Sequence, residues 1–358
     1  MTRTGLVALT LLLSAGCAAG EASPVPSAPV ASPSETPVQA TERPPGSPTP
    51  RVATTPSPSP RPLTFEVDTF PVRPGSRPHD VAPAADGGIW YTGQHNGTLG
   101  WLDPATGELR DIPLGAGSMP HGVITGPDDA AWVTDSGLNA IVRVDGETDA
   151  VTMYPIAGAK LSLNTATFDA DDILWFTGQN GAYGSLDPES GELTVHAAPP
   201  GPYGIAATAE GDVYFSSLAG SYLGAIDRAT GEATAIPTPT PGGGARRVWP
   251  DSSGRLWVTQ WFAGSIAVYD PGDESWNEWP LPTAGAMPYA VYVDERDAVW
   301  VTDFGSNALL RLDPATETWL TFPHDSQPAN VRQLLGRPGE VWGAESAADQ
   351  LVVVRTEG

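Results

Sequence analysis

The chain has 358 residues, and 42 acidic against 18 basic side chains leave a formal net charge of −24. A field of that sign repels a phosphate backbone, which excludes nucleic acid as a partner, and it excludes an anionic membrane surface except through a covalent anchor. A single cysteine excludes an intrachain disulfide.

Met1-Thr2-Arg3-Thr4 is a short basic start, Leu6 to Leu13 an apolar run, and Ser14-Ala15-Gly16-Cys17 a set of small residues ending in the only cysteine. A membrane span needs about 20 apolar residues, so the run is too short to cross and has the length of a signal-peptide core. The segment resembles a bacterial lipoprotein lipobox, with Ser14 where Leu is usual. That resemblance implies lipidation at Cys17 and an extracytoplasmic protein anchored to the bacterial cell membrane. Residues 18–62 are Pro, Ser, Thr and Ala with almost no large apolar side chain. Such a stretch cannot bury enough surface to offset its ordering entropy, and the expectation is a disordered tether.

From residue 63 a repeat sets in. Trp90, Trp132, Trp175, Tyr214, Trp257, Trp300 and Trp342 follow one another at spacings of 42, 43, 39, 43, 43 and 42. Each unit holds a short strand such as Pro120–Ile124, a Gly/Asp turn such as Asp86-Gly87-Gly88, and an apolar strand carrying the aromatic, such as Ile89–Thr92. A third strand such as Ala140–Val144 and a fourth such as Leu109–Leu114 complete it. Four short strands per repeat predict an all-β, seven-bladed propeller over residues 63–358. The seventh unit lacks its fourth strand, and the unmatched run Leu63–Phe70 supplies one, closing the ring. A closed ring needs no partner to cover its edges, which predicts a monomer. The Asp-Pro-X-X-Gly segments are turns, because they lack the closely spaced oxygen ligands of a calcium loop.

In each unit the start of strand one and the end of strand two meet at one mouth of the central channel, the expected site for a small-molecule or peptide ligand. Eleven residues before the aromatics stand His79, His121, Asn164, Tyr203, Arg246 and Tyr289, with Ala329 or Asn330 expected in blade seven. Three residues after them stand Gly93, Asp135, Gly178, Ser217, Gln260, Asp303 and Glu345, and one further on are Trp261 and Phe304. His79 and His121 occupy the same position in adjacent blades and are the candidate acid–base pair. Asn164, Tyr203, Arg246, Tyr289, Trp261 and Gln260 are candidate substrate-binding residues, and Asp135 a candidate metal ligand.

The units Arg77-Pro78-His79-Asp80-Val81 and Met119-Pro120-His121-Gly122-Val123, with their Trp-aromatic-Thr strands, resemble the virginiamycin B lyase (streptogramin B lyase) family. The resemblance implies a seven-bladed propeller that opens cyclic depsipeptides by elimination across the ring ester. It implies His121 and His79 as catalytic residues and a magnesium ion held by carboxylates. The family's pair of histidine units falls late in the chain, whereas here it falls in the first two blades. Where the family holds metal-ligating glutamates this chain has Met119 and Ser136, with Asp135 adjacent as the substitute. Two further readings use the same mouth. One is a non-catalytic propeller binding a ligand or protein at the cell envelope. The other is a lactone hydrolase resting on Asp135, Asp303 and Glu345.

Overall fold

The computed structural model describes residues 62–199 and 201–358. Cys17, and the Pro/Ser/Thr-rich stretch except Pro62, lie outside the described residues.

The described residues form seven four-stranded antiparallel sheets and no helix. Blade one comprises Pro78–Pro83, Ile89–Gly93, Thr98–Leu102 and Leu109–Pro113, paired in chain order. The next five blades repeat that order. Blade seven differs as the sequence predicts. Its outer strand is Thr64–Pro71, paired with Gln350–Glu357 from Thr64↔Glu357 to Pro71↔Gln350. Phe65 packs against Trp300 and Phe322 at 6.4 and 5.3 Å between ring centroids, so the closing strand is also held by side chains of blade six.

The aligned aromatics are core. Trp90, Trp132, Trp257, Trp300 and Trp342 are at most 1% exposed. They pack onto the following blade: Trp132 with Leu163, Leu174 and Phe176, and Trp342 with Val81, Ile89 and Tyr91 across the closure. A buried indole N–H needs an acceptor, and the hairpin turns supply one to every aligned tryptophan except Trp90. The Trp175, Trp257 and Trp300 indoles donate to Asp169, Asp251 and Asp294 at 2.8–3.0 Å. The Asp-Pro-X-X-Gly segments are turns, with Asp103 and Asp187 accepting from the backbone N–H groups of Ala105 and Glu189.

One local device sets the geometry of the channel. In blade one Pro78 pairs with Gly93, but Val81 pairs with Tyr91, so the innermost strand carries an extra residue and His79 and Asp80 both stand opposite Thr92. Proline is tolerated there because it opens the strand beside the bulge. The Thr92 hydroxyl accepts the Asp80 N–H at 3.0 Å and donates to the His121 carbonyl of the next blade at 2.8 Å. Thr134 does the same between Gly122 N and Asn164 O, Ser216 between Gly204 N and Arg246 O, and Thr259 between Arg247 N and Tyr289 O. Blade seven has Ala344 at this place; there the Gln333 side chain accepts the Val81 N–H at 3.0 Å. The blades approach closely enough that a Cβ on Gly122 would lie 2.7 Å from the Asn164 carbonyl oxygen.

Replacing Thr134 with valine keeps the shape, strands the Gly122 N–H without a partner and leaves the Asn164 carbonyl with His121 Nδ1 alone. The expected cost is about 1–3 kcal/mol, read as a lower urea midpoint at unchanged slope.

Candidate functional site

The bulged residues of the innermost strands line the axis in two layers. The upper layer holds His79, His121, Asn164, Tyr203, Arg246 and Tyr289, as the repeat predicts. Its seventh member is Arg332, not Ala329 or Asn330. Ala82 pairs with Trp90 eight residues on, whereas Leu335 pairs with Trp342 only seven residues on. The expectation of Ala329 or Asn330 takes blade seven to hold two extra residues, whereas its hairpin is one residue shorter than that of blade one, which brings Arg332 into the layer. The lower layer holds Asp80 and Arg247, which sequence reasoning passed over. In a regular strand, neighbours face opposite sides; the bulge turns both members of His79-Asp80 and of Arg246-Arg247 toward the channel. The consecutive polar pairs were the available signal.

The ends of the second strands lie elsewhere. Only the innermost strand borders the channel, and the residues three after each aromatic instead anchor the turn into strand three. Asp135 accepts from the Ser118 hydroxyl and from the N–H groups of Met119, Gly137 and Leu138 at 2.5–2.9 Å. Asp303 does likewise for Met287, Gly305 and Ser306, and Glu345 pairs with His324 at 2.8 Å. Gln260 is buried and donates to Ser265 and Glu278. Asp135 and Gln260 therefore stand behind the mouth. Of the carboxylates on which a lactone hydrolase would rest, Asp135 and Asp303 are committed to their own turns and Glu345 to His324 and Gln350. Trp261, one residue further on, does reach the mouth, with its ring 5.7 Å from Tyr289.

The two histidine rings are in contact, 3.9 Å between centroids, and both are buried. His79 Nδ1 lies 2.7 Å from the Asp80 carboxylate, and His121 Nδ1 lies 3.0 Å from the Asn164 carbonyl. Both partners accept, so each imidazole carries its proton on Nδ1 and keeps the Nε2 lone pair free. Burial, together with the neighbouring arginines, holds His79 well below the ordinary range. Burial and the His79 ring do the same for His121. Asp80 is fixed by Arg247 at 3.2 Å. Burial raises the Asp80 carboxyl, with Arg247 and His121 pulling the other way.

Opposite the histidines, Tyr203 and Tyr289 share a hydroxyl–hydroxyl hydrogen bond of 2.6 Å. Arg246 donates to the Tyr203 hydroxyl at 2.7 Å and stacks 3.6 Å over the Tyr289 ring. Burial raises the Tyr203 phenol. Burial acts the same way on Tyr289, but Arg246 and Arg247 outweigh it and lower that phenol.

A magnesium ion does not fit these residues. Among the described residues, the one group of three or more His, Cys, Asp and Glu with ligand atoms within 4.8 Å of each other is His79, Asp80 and His121. Magnesium demands several oxygen ligands, and the set offers one carboxylate, already bonded to His79 and Arg247. Asp135 is absent from the group, and Met119 at the mouth offers only a thioether.

The virginiamycin B lyase family model matches residues 62–312. The chain belongs to the virginiamycin B lyase family. A virginiamycin B lyase from Staphylococcus aureus superposes with a TM-score of 0.76 at 18% identity, covering 82% of this chain and 99% of the other. A streptogramin B lyase structure gives 0.76 at 21% identity, covering 82% and 98%. YCF48 bound to D1 peptide gives 0.63 at 16% identity, covering 81% and 96%. At these identities the structural likeness speaks for the fold. No curated protein matches at the sequence level.

Because both histidines are neutral in the folded protein, the unfolded chain binds protons that the native state does not once the pH falls below about 6.5. Stability is therefore full above that value and declines as the pH drops below it, by up to about 1.4 kcal/mol per pH unit for each histidine. Urea midpoints between pH 7.5 and 5.5 should show this slope. The double variant His79→Asn, His121→Asn should flatten it.

Proposed function

We propose that this chain is a virginiamycin B lyase-like protein that opens an ester-containing cyclic peptide by elimination, without a metal ion. The observation that carries this reading is the pair of touching, neutral histidines with Nε2 free. His121, slightly the more exposed of the two, is the base. Its Nε2 takes the proton from a carbon next to a carbonyl, and the C–H electron pair becomes the new C=C bond. The adjacent carbon–oxygen bond breaks, and the ester oxygen leaves as a carboxylate. The His79–Asp80–Arg247 chain holds the neighbouring ring in place, and Tyr203, Tyr289 and Trp261 form the wall against which a substrate packs. The basic start, apolar run and Cys17 support placing the propeller outside the cell on a lipid anchor.

A second reading, a non-catalytic ligand-binding propeller, is favoured by the missing metal ligands: Met119 is 52% exposed where an oxygen ligand is expected, and Asp135 is fully engaged.

The test is incubation with a type B streptogramin, with and without a chelator, followed by liquid chromatography and mass spectrometry. Elimination gives a new peak of unchanged mass; hydrolysis adds one water. The expected outcome is an equal-mass product that survives chelation and falls by about 100-fold or more in His121→Ala, the scale of lost general-base catalysis. Binding without turnover would sink the lyase and leave the ligand-binding propeller.

A further inference from the structure

The mouth carries a charge opposite to the rest of the molecule. In a chain of net charge −24, Arg246, Arg247 and Arg332 all act electrostatically on His79. Arg247 is neutralised by Asp80. The other two are not neutralised. Among the described residues Arg246 has the Tyr203 hydroxyl as its acceptor and Arg332 has the Ser346 hydroxyl, and neither meets a carboxylate. The Nε groups of Arg246 and Arg247 are buried without any acceptor, although Arg247 is only 4% exposed. Asn164, 0% exposed in the same layer, has both its amide oxygen and nitrogen unpartnered.

Arg332 also lines a cavity of about 420 Å³ with Arg77, Gln94, His95, Met119 and Asn330, and no acidic side chain borders it. On the other side Arg332 stands 5.9 Å from the Tyr289 ring, which is stacked against Phe304 at 4.8 Å and edge-on to Trp261. Guanidinium groups without a carboxylate, buried polar atoms without partners and an aromatic wall meet at one place. Leaving such donors unpaired in a buried site is costly, and a bound anion satisfies them. A guanidinium presents paired donors that match a carboxylate, and stacking over tyrosine orients the group.

From this juxtaposition of Arg246 and Arg332 with Tyr203, Tyr289, Trp261 and Phe304, we infer that the mouth is a recognition site for a carboxylate carried on an aromatic or branched apolar body, such as the C-terminus of a short peptide. The inference deepens the proposed function, since the elimination releases a carboxylate that these arginines would hold, but it does not require turnover.

The test is calorimetric titration of the purified protein with N-acetylphenylalanine, its uncharged amide, and inorganic phosphate. The acid should bind at least about tenfold more tightly than the amide, the scale of one charge-assisted hydrogen bond, and salt should weaken it. Phosphate should not displace it at equal concentration. Arg332→Gln should lower affinity for the acid about tenfold at unchanged melting temperature. Arg246→Lys keeps the charge but loses the planar stack and should also bind less tightly. His121→Ala should abolish elimination and keep the acid's affinity, so loss of the lyase reading and loss of the carboxylate site are separately visible. Equal affinity for acid and amide, no binding of either, or equal competition by phosphate would overturn the inference.

Discussion

The structure depends on one hydroxyl in each of the first five blades. Thr92, Thr134, Thr177, Ser216 and Thr259 each donate across the blade boundary to the carbonyl of a residue in the channel's upper layer. Those residues are His121, Asn164, Tyr203, Arg246 and Tyr289. The bond that joins neighbouring sheets is thus also the bond that places the site. Buried polar groups of this kind are worth most when every member is satisfied, and in blade seven, where Ala344 breaks the series, a different bond crosses the boundary, from the Val81 N–H to the Gln333 side chain.

Electrostatics follow from that placement. The bulge directs two consecutive residues at the axis, so His79 gains Asp80 as a partner and Asp80 gains Arg247. Burial removes the solvent that would otherwise stabilise charge on the imidazoles, and the arginines oppose protonation further. The outcome is two free bases facing a cationic mouth. A divalent cation would enter against that field. Family and fold set the frame, and the chemistry is decided by the side chains standing in it.

The ring, its closure by Thr64–Pro71 and the core role of Trp90, Trp132 and their equivalents were all legible in the sequence. They follow from a recurring spacing and from strand chemistry, and both are properties of local sequence. The pairing of His79 with His121 was legible for the same reason: residues one repeat apart occupy equivalent places in adjacent blades. Asp135, Asp303 and Glu345 were misplaced because spacing locates a residue along a strand without saying whether that strand borders the channel or the turn behind it.

What the sequence by itself determined is the architecture and the circle of upper-layer residues in six of seven blades. Tertiary structure alone decided that Arg332 completes the circle, because a hairpin shortened by one residue is invisible to a count from Trp342. It also decided that Asp80 and Arg247 face the axis, because a bulge breaks the alternation on which strand reasoning rests. The same bulge brings Arg247 against Asp80, 167 residues away in the chain. No local pattern encodes a charge pair of that separation, since it exists only after the ring has closed.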